Sequence, residues 1–254
     1  TSGDTGSAVA AAFHRMPGFR VVILYPEGRV SNRQAHQLEC FGDNILALRV
    51  PSGFDQCQTL VKQAFNDPVL RARVPLSSAN SISLGRLLPQ ATYYAFAALH
   101  HFRENGRPLS FIVPTGNLGN AVAALMARQA GLPVGRVLFA TNLNAAVSDF
   151  ITTGEYHARP SVSTLANAMD VGDPSNVARL RFMLARDPSL QEILAAHVVD
   201  DETIRARIRS GETAYQKVFC PHTACGIAML EQERRRGSAE DFCVVATAHP
   251  AKFD

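Results

Sequence analysis

The chain has no tryptophan, and only three of its 25 lysine and arginine residues are lysines: Lys62, Lys217 and Lys252. It has no apolar run near the roughly 20 residues a membrane-spanning helix needs, and no charged-then-apolar leader of the secretory kind. The expectation is therefore a soluble protein of the cytoplasm that does not engage a membrane. It also lacks a dense basic stripe with interleaved aromatics. A formal net charge of +3 is too small to suggest a nucleic-acid partner. The five cysteines, Cys40, Cys57, Cys220, Cys225 and Cys243, are odd in number and have no paired spacing. That argues against a disulfide framework and fits a reducing compartment. Cys220-Pro-His-Thr-Ala-Cys225 offers three candidate ligands at irregular spacing with no second pair, so no metal site is expected; buried, inert thiols are the better reading.

What is present is alternation. A helical run at 7–14, a buried strand at 20–25, a helix at 31–41, a strand at 44–50 and an amphipathic helix at 54–66 follow one another. After a Pro- and Ser-containing stretch at 74–80, a long helix is expected at 84–103, interrupted or kinked at Pro89. Strand 109–113, a glycine loop, helix 121–130 and strand 137–140 come next. Residues 175–209 read as mostly helical with a break near Asp187-Pro188. A helix at 223–236 and a final strand at 242–247 close the pattern. This is the signature of an α/β protein with mainly parallel sheets. The reading divides it into a small unit, 1–76, and a larger one, 77–254.

Two segments have the form of an anion-binding turn: Thr1-Ser-Gly-Asp-Thr-Gly6 and Pro114-Thr-Gly-Asn-Leu-Gly-Asn120. A helix N-terminus leaves backbone N–H groups unpaired and carries partial positive charge, so it attracts phosphates and carboxylates. Glycine lets that backbone approach the anion without a Cβ clash. Taken singly, each loop is equally compatible with plain helix capping. Neither continues into a Walker GK[ST] sequence or matches GxGxxG, which disfavours a nucleotide. Together they suggest two anionic groups held at the C-terminal ends of parallel strands.

Three further stretches, Asn80-Ser-Ile-Ser-Leu-Gly-Arg86, Asn167-Ala-Met-Asp170 and Thr247-Ala-His-Pro-Ala-Lys-Phe253, occur in order with the two loops. The five motifs together resemble those of threonine synthases, within the fold type II (tryptophan-synthase-β-like) family of pyridoxal phosphate enzymes. The resemblance implies two three-layer α/β units with pyridoxal 5'-phosphate in the cleft between them. It implies that Gly116, Asn117, Leu118, Gly119 and Asn120 wrap the cofactor phosphate, that Asp4 faces the cofactor ring hydroxyl, and that Thr247 meets the ring nitrogen. Thr1, Ser2, Gly3 and Thr5 would hold the substrate carboxylate. Asn80, Ser81 and Arg86 would hold the phosphate of O-phospho-L-homoserine, a task that suits the planar fork of arginine.

The same resemblance puts the Schiff-base lysine upstream of Thr1, so the chain reads as a fragment without its catalytic lysine. Lys62 and Lys217 lie in polar helical stretches, and Lys252 reads as a loop lysine. His222 is read as structural. Within the family, a threonine/serine dehydratase or a cysteine-synthase-like enzyme is the alternative. A binding-only homologue is the alternative outside enzymes.

Overall fold

The computed structural model describes residues 3–253, with Gly3 and Asp4 described by backbone alone. The chain divides into two compact units, residues 1–80 with 251–254, and residues 81–250.

In the first unit, helix α1 (Gly3–Phe13) leads into strand β1 (Val21–Pro26), helix α2 (Asn32–Glu39) and strand β2 (Ile45–Val50). α1 begins four residues before the helical run read from the sequence. Thr5 and Gly6 therefore sit within the first turns of the helix and not ahead of it. β1 and β2 pair in parallel, Val21 opposite Ile45 and Tyr25 opposite Arg49. Ala10, Ile23, Tyr25, Leu38 and Ile45 form the small core. A capping box fixes the start of α2: Ser31 Oγ accepts from Gln34 N–H while the Gln34 side chain accepts from Ser31 N–H. Helices α3 (Phe54–Asn66) and α4 (Pro68–Arg73) follow. Asp67 ends the one and caps the other through Val69 and Leu70 N–H.

The second unit opens with helix α5 (Leu84–Asn105), which runs unbroken through Pro89. Pro89 forfeits a bond to Gly85 O, and the helix absorbs that loss without a break. Strand β3 (Leu109–Pro114), helix α6 (Gly119–Gln129), strand β4 (Val134–Thr141) and helices α7 (Ala146–Thr153), α8 (Val177–Arg186) and α9 (Leu190–Ile193) come next. Strand β5 (Leu194–Val198) follows α9, within the stretch the sequence pattern assigned mostly to helix. Leu-Ala-Ala-His-Val has no strand-type alternation and is rich in helix formers. Its pairing with β4, Val137 opposite Leu194 through Thr141 opposite Val198, decides its state. Helices α10 (Asp201–Tyr215) and α11 (Pro221–Arg235) and a short strand β6 (Phe242–Val244) complete the unit.

These four strands make one parallel sheet in the order β5-β4-β3-β6. Every residue of β3 is buried, as a central strand covered on both faces must be. Alternate residues go to opposite sides. Phe111, Val113, Val137 and Phe139 pack with α5 and α6 residues such as Leu87, Tyr94, Val122 and Leu125. Ile112, Leu138 and Ala140 pack with Ala224, Cys225 and Ala228 of α11. That is a three-layer α/β unit. Among the described residues no helix is long and apolar enough to cross a membrane.

Truncating Leu138, fully buried in the sheet, leaves a cavity under α11. Leu138→Ala is expected to cost about 3 kcal/mol in urea unfolding. Phe182→Ala, 61% exposed, is expected to stay within about 0.5 kcal/mol.

Candidate functional site

Parallel strands deliver their C-terminal ends, and the loops that follow, to one edge of the sheet. At that edge of the second unit, β3 runs into residues 115–118 and then into α6. Leu118 caps α6 with φ +63°, the left-handed region, and its side chain is fully buried. A non-glycine residue held there costs of order 1–3 kcal/mol and needs firm surroundings. The turn aims the backbone N–H groups of residues 119, 120 and 121, which have no intrahelical acceptor, outward from the strand end. The first intrahelical bond is Val122 N–H to Leu118 O, 2.9 Å.

Both loop glycines are demanded by contact. A Cβ on Gly116 would lie 2.6 Å from Met169 Cα, and one on Gly119 would lie 2.8 Å from Ser81 Cβ. The loop is thus closed between the 3-10 turn at Asn167–Met169 and the segment that opens the second unit.

Ser81, expected with the substrate phosphate, lies against this loop. Its Oγ accepts from Asn117 Nδ2 at 2.7 Å and from Asn176 Nδ2 at 3.0 Å. Asn117 Oδ1 accepts in turn from the backbone N–H and hydroxyl of Ser175, at 2.7 and 3.0 Å. Asn176, fully buried, also donates to Asn117 O at 2.8 Å. Arg179 in the first turn of α8 donates to Ser81 O at 2.9 Å, to Ile82 O and to Asn176 Oδ1. Ser175, Asn176 and Arg179 escaped the sequence reading. The one available signal was Asp173-Pro-Ser-Asn176, a loop dense in turn-forming polar residues.

Asn120 Oδ1 accepts from the hydroxyls of Tyr93 and Tyr94, the latter at 2.7 Å. Only its backbone N–H and amide nitrogen remain for an anion. Burial pushes the Tyr94 phenol well above the usual tyrosine range, so it stays a neutral donor. Arg86 lies in the first turn of α5, half-buried. Its backbone N–H bonds Ser83 O at 3.0 Å, and its guanidinium has no ion-pair partner among the described residues.

Thr247 is exposed just past β6, on the same strand-end side as the loop. Its N–H reaches Thr223 Oγ1 at 3.5 Å. His222 beside it is buried and accepts from Ala168 N–H through Nε2, 3.0 Å, which puts the proton of a neutral ring on Nδ1. Cys220 caps α11 through Sγ, and burial pushes the Cys225 thiol up. These contacts match inert thiols. Among the described residues no group of three or more His, Cys, Asp or Glu is placed to hold a metal ion.

In the Asn167-Ala-Met-Asp170 motif, the Asp170 carboxylate accepts from Thr164, from Asn142 at 2.8 Å and from Asn144 at 3.2 Å. It pins the turn that Gly116 abuts.

In the first unit, Asn80 is buried, with its N–H on Ser78 Oγ. Thr1 and Ser2 lie outside the described residues, and the side chains of Gly3 and Asp4 are not described. Lys62 is exposed on α3, and Lys217 is exposed in the turn after α10. Lys252 closes a 3-10 turn at Pro250–Lys252, its carbonyl accepting from Ser31 Oγ.

A parallel α/β sheet with a glycine loop closed ahead of a helix defines a phosphate-binding protein. The glycine contacts and the unpaired N–H groups at the start of α6 fit the phosphate of a cofactor. Residues 1–248 match the family described as pyridoxal-phosphate dependent enzymes, and the chain belongs to that family.

It is 41% identical over 254 residues to the threonine synthases of Serratia marcescens and Escherichia coli, and 30% identical over 296 residues to that of Saccharomyces cerevisiae. The chain is covered completely in each case, and 58% of each relative is covered, so the chain spans a little over half their length. The crystal structure of the Escherichia coli threonine synthase superimposes with a TM-score of 0.92 at 39% identity, over all of this chain and 58% of that one. A pyridoxal-phosphate-bound threonine synthase from Brucella melitensis gives 0.84 at 33%, over all of this chain and 60% of that one. Maize serine racemase, 16% identical with a TM-score of 0.64, shares the fold.

Gly116→Ala forces a methyl onto the backbone of Met169, which cannot swing aside. Its expected outcome is at least a tenfold loss of pyridoxal phosphate affinity in equilibrium dialysis, together with a lowered melting temperature. Gly237→Ala, a positive-φ surface glycine with open space around it, is expected to leave that affinity unchanged.

Proposed function

We propose that the chain carries the phosphate-binding and substrate-binding part of a threonine synthase, which converts O-phospho-L-homoserine and water to L-threonine and phosphate. The observation that supports this best is the seating of Ser81, from the Asn80–Arg86 motif, directly on the Asn117–Gly119 loop. A cofactor-type phosphate loop and a second anion-binding segment are thereby joined in one unit, with similarity to threonine synthases over the full chain. The substrate has one more phosphate than a serine or threonine dehydratase handles, and Arg86 with the N-terminus of α5 supplies a site for it.

Bound pyridoxal phosphate would supply an electron sink for removing protons from the substrate carbon chain. The chain's own residues do the rest. The N–H groups of residues 119–121 and the α6 dipole hold the cofactor phosphate. Thr247 offers a neutral hydroxyl to the ring nitrogen and so leaves it unprotonated. Thr1, Ser2, Gly3 and Thr5 bind the substrate carboxylate, with Asp4 toward the ring hydroxyl. Asn80, Ser81 and Arg86 bind the departing phosphate and stabilise charge as it develops there. The principal proton-transfer lysine is none of Lys62, Lys217 and Lys252. We place the protein in the cytoplasm, consistent with five free cysteines.

Titration of the pyridoxal-phosphate-loaded chain tests the substrate. O-Phospho-L-homoserine is expected to bind about a hundredfold more tightly than L-homoserine, the worth of a bidentate charge-assisted contact. Arg86→Gln is expected to erase that difference while leaving cofactor affinity within twofold. Equal binding of the two ligands by the parent chain would overturn the substrate assignment.

A further inference from the structure

The four side chains around Ser81 have hydrogen-bond polarities that leave no freedom. Asn117 touches the backbone N–H of Ser175 at 2.7 Å. That group can only donate, so Asn117 must turn its oxygen there and its NH2 to Ser81 Oγ. Asn176 touches the guanidinium of Arg179. A guanidinium has five donors and no acceptor, so Asn176 too must turn its oxygen toward Arg179. Its NH2 then faces Ser81 Oγ at 3.0 Å and Asn117 O at 2.8 Å. The carbonyl at that second contact can only accept, which independently requires the same orientation. Two amide donors thus occupy both lone pairs of one hydroxyl. The single capacity left to Ser81 is its proton.

We infer that Asn176, its amide oriented by Arg179 and by the Asn117 carbonyl, is a positioning residue that commits the Ser81 hydroxyl to donate its proton to a phosphate oxygen of a bound phosphate monoester. The inference rests on the proposed site and goes beyond it, because Asn176 is assigned no contact with either ligand. The Arg179 guanidinium also holds the carbonyls of Ser81 and Ile82, so the hydroxyl is fixed in place as well as in polarity. Gly119 is required to be glycine by the same close approach of Ser81. The joint therefore packs against the first residue of α6. The phosphate could belong to the cofactor or to the substrate, and the two are separable in solution.

The test is a double-mutant cycle on the full chain, read as dissociation constants by titration calorimetry. Pyridoxal phosphate and O-phospho-L-homoserine are the separate arms, and inorganic phosphate serves as a common probe. Aspartate keeps an ion pair with Arg179 but presents an acceptor to Ser81 Oγ in place of a donor, so Asn176→Asp is expected to lose tenfold or more in at least one arm. In a Ser81→Ala background that same substitution is expected to lose at least fivefold less, because no hydroxyl remains to be directed. The arm that shows this coupling identifies the phosphate.

Equal losses in the two backgrounds would overturn the inference. Should Asn176→Asp fail to fold, Asn176→Ala replaces it. That variant removes the donor and frees one lone pair of Ser81 Oγ, and a coupling of at least threefold is expected. A parent chain that binds none of the three ligands would overturn the site reading itself, a result visible before any variant is made.

Discussion

The loop between β3 and α6 is closed by two contacts that only glycine permits, Gly116 against the backbone of Met169 and Gly119 against Ser81. Much of the site follows from that closure. With no Cβ in the way, the loop comes close enough to the Ser81 segment for Asn117 and Asn176 to bond Ser81, while Asp170 pins the turn on the other side through Asn142, Asn144 and Thr164. Those bonds hold Leu118 in a left-handed conformation that a free chain would avoid. The result is a turn whose backbone N–H groups stay directed outward, toward a binding anion, without having to rearrange when it arrives.

The sheet makes this closure possible. Four parallel strands place the loops after β3, β4 and β6 at one edge. The residues that meet there come from positions far apart in sequence: 81, 117, 142, 170, 176, 223 and 247. β3 is buried on both faces and, like β4, paired on both sides, so its end is firmly held. The loop after it inherits that rigidity. β6 is only three residues long, yet pairing with Ser110, Phe111 and Ile112 is enough to carry Thr247 to the same edge.

Much of this was legible in the sequence, and the reason is local. Glycine spacing, helix starts and apolar runs are short-range signals, and they gave the parallel α/β alternation and the glycine turn ahead of α6. What escaped them was set at long range. β5 is a strand because β4 lies beside it, not because Leu194–Val198 prefers to extend. α1 already includes Gly3 to Gly6, which read as a loop because two glycines in four residues disfavour a helix. Asn176 and Arg179 lie almost a hundred residues from the serine they hold, and Ser175 reaches it only through Asn117. An asparagine followed three residues later by an arginine is unremarkable until the fold brings Ser81 to it.

The scarcity of lysine has a structural counterpart in how the arginines are used. Several bind backbone carbonyls at loop ends. Arg33 holds Ala251, Arg128 holds Val134 and Gly135, Arg179 holds Ser81 and Ile82, and Arg234 holds Ser238 and Glu240. One planar fork can span two carbonyls and keep its geometry, whereas an ammonium group is a compact point charge on a flexible stem. Arg136 does the equivalent with carboxylates, bridging buried Glu233 and the more exposed Glu240. Loops that must hold glycine-close contacts need such rigid fasteners, because a shift of a few tenths of an ångström would open the turn at Gly116 and Gly119. The same property would suit Arg86, which has no ion-pair partner among the described residues, to the anion proposed for the start of α5.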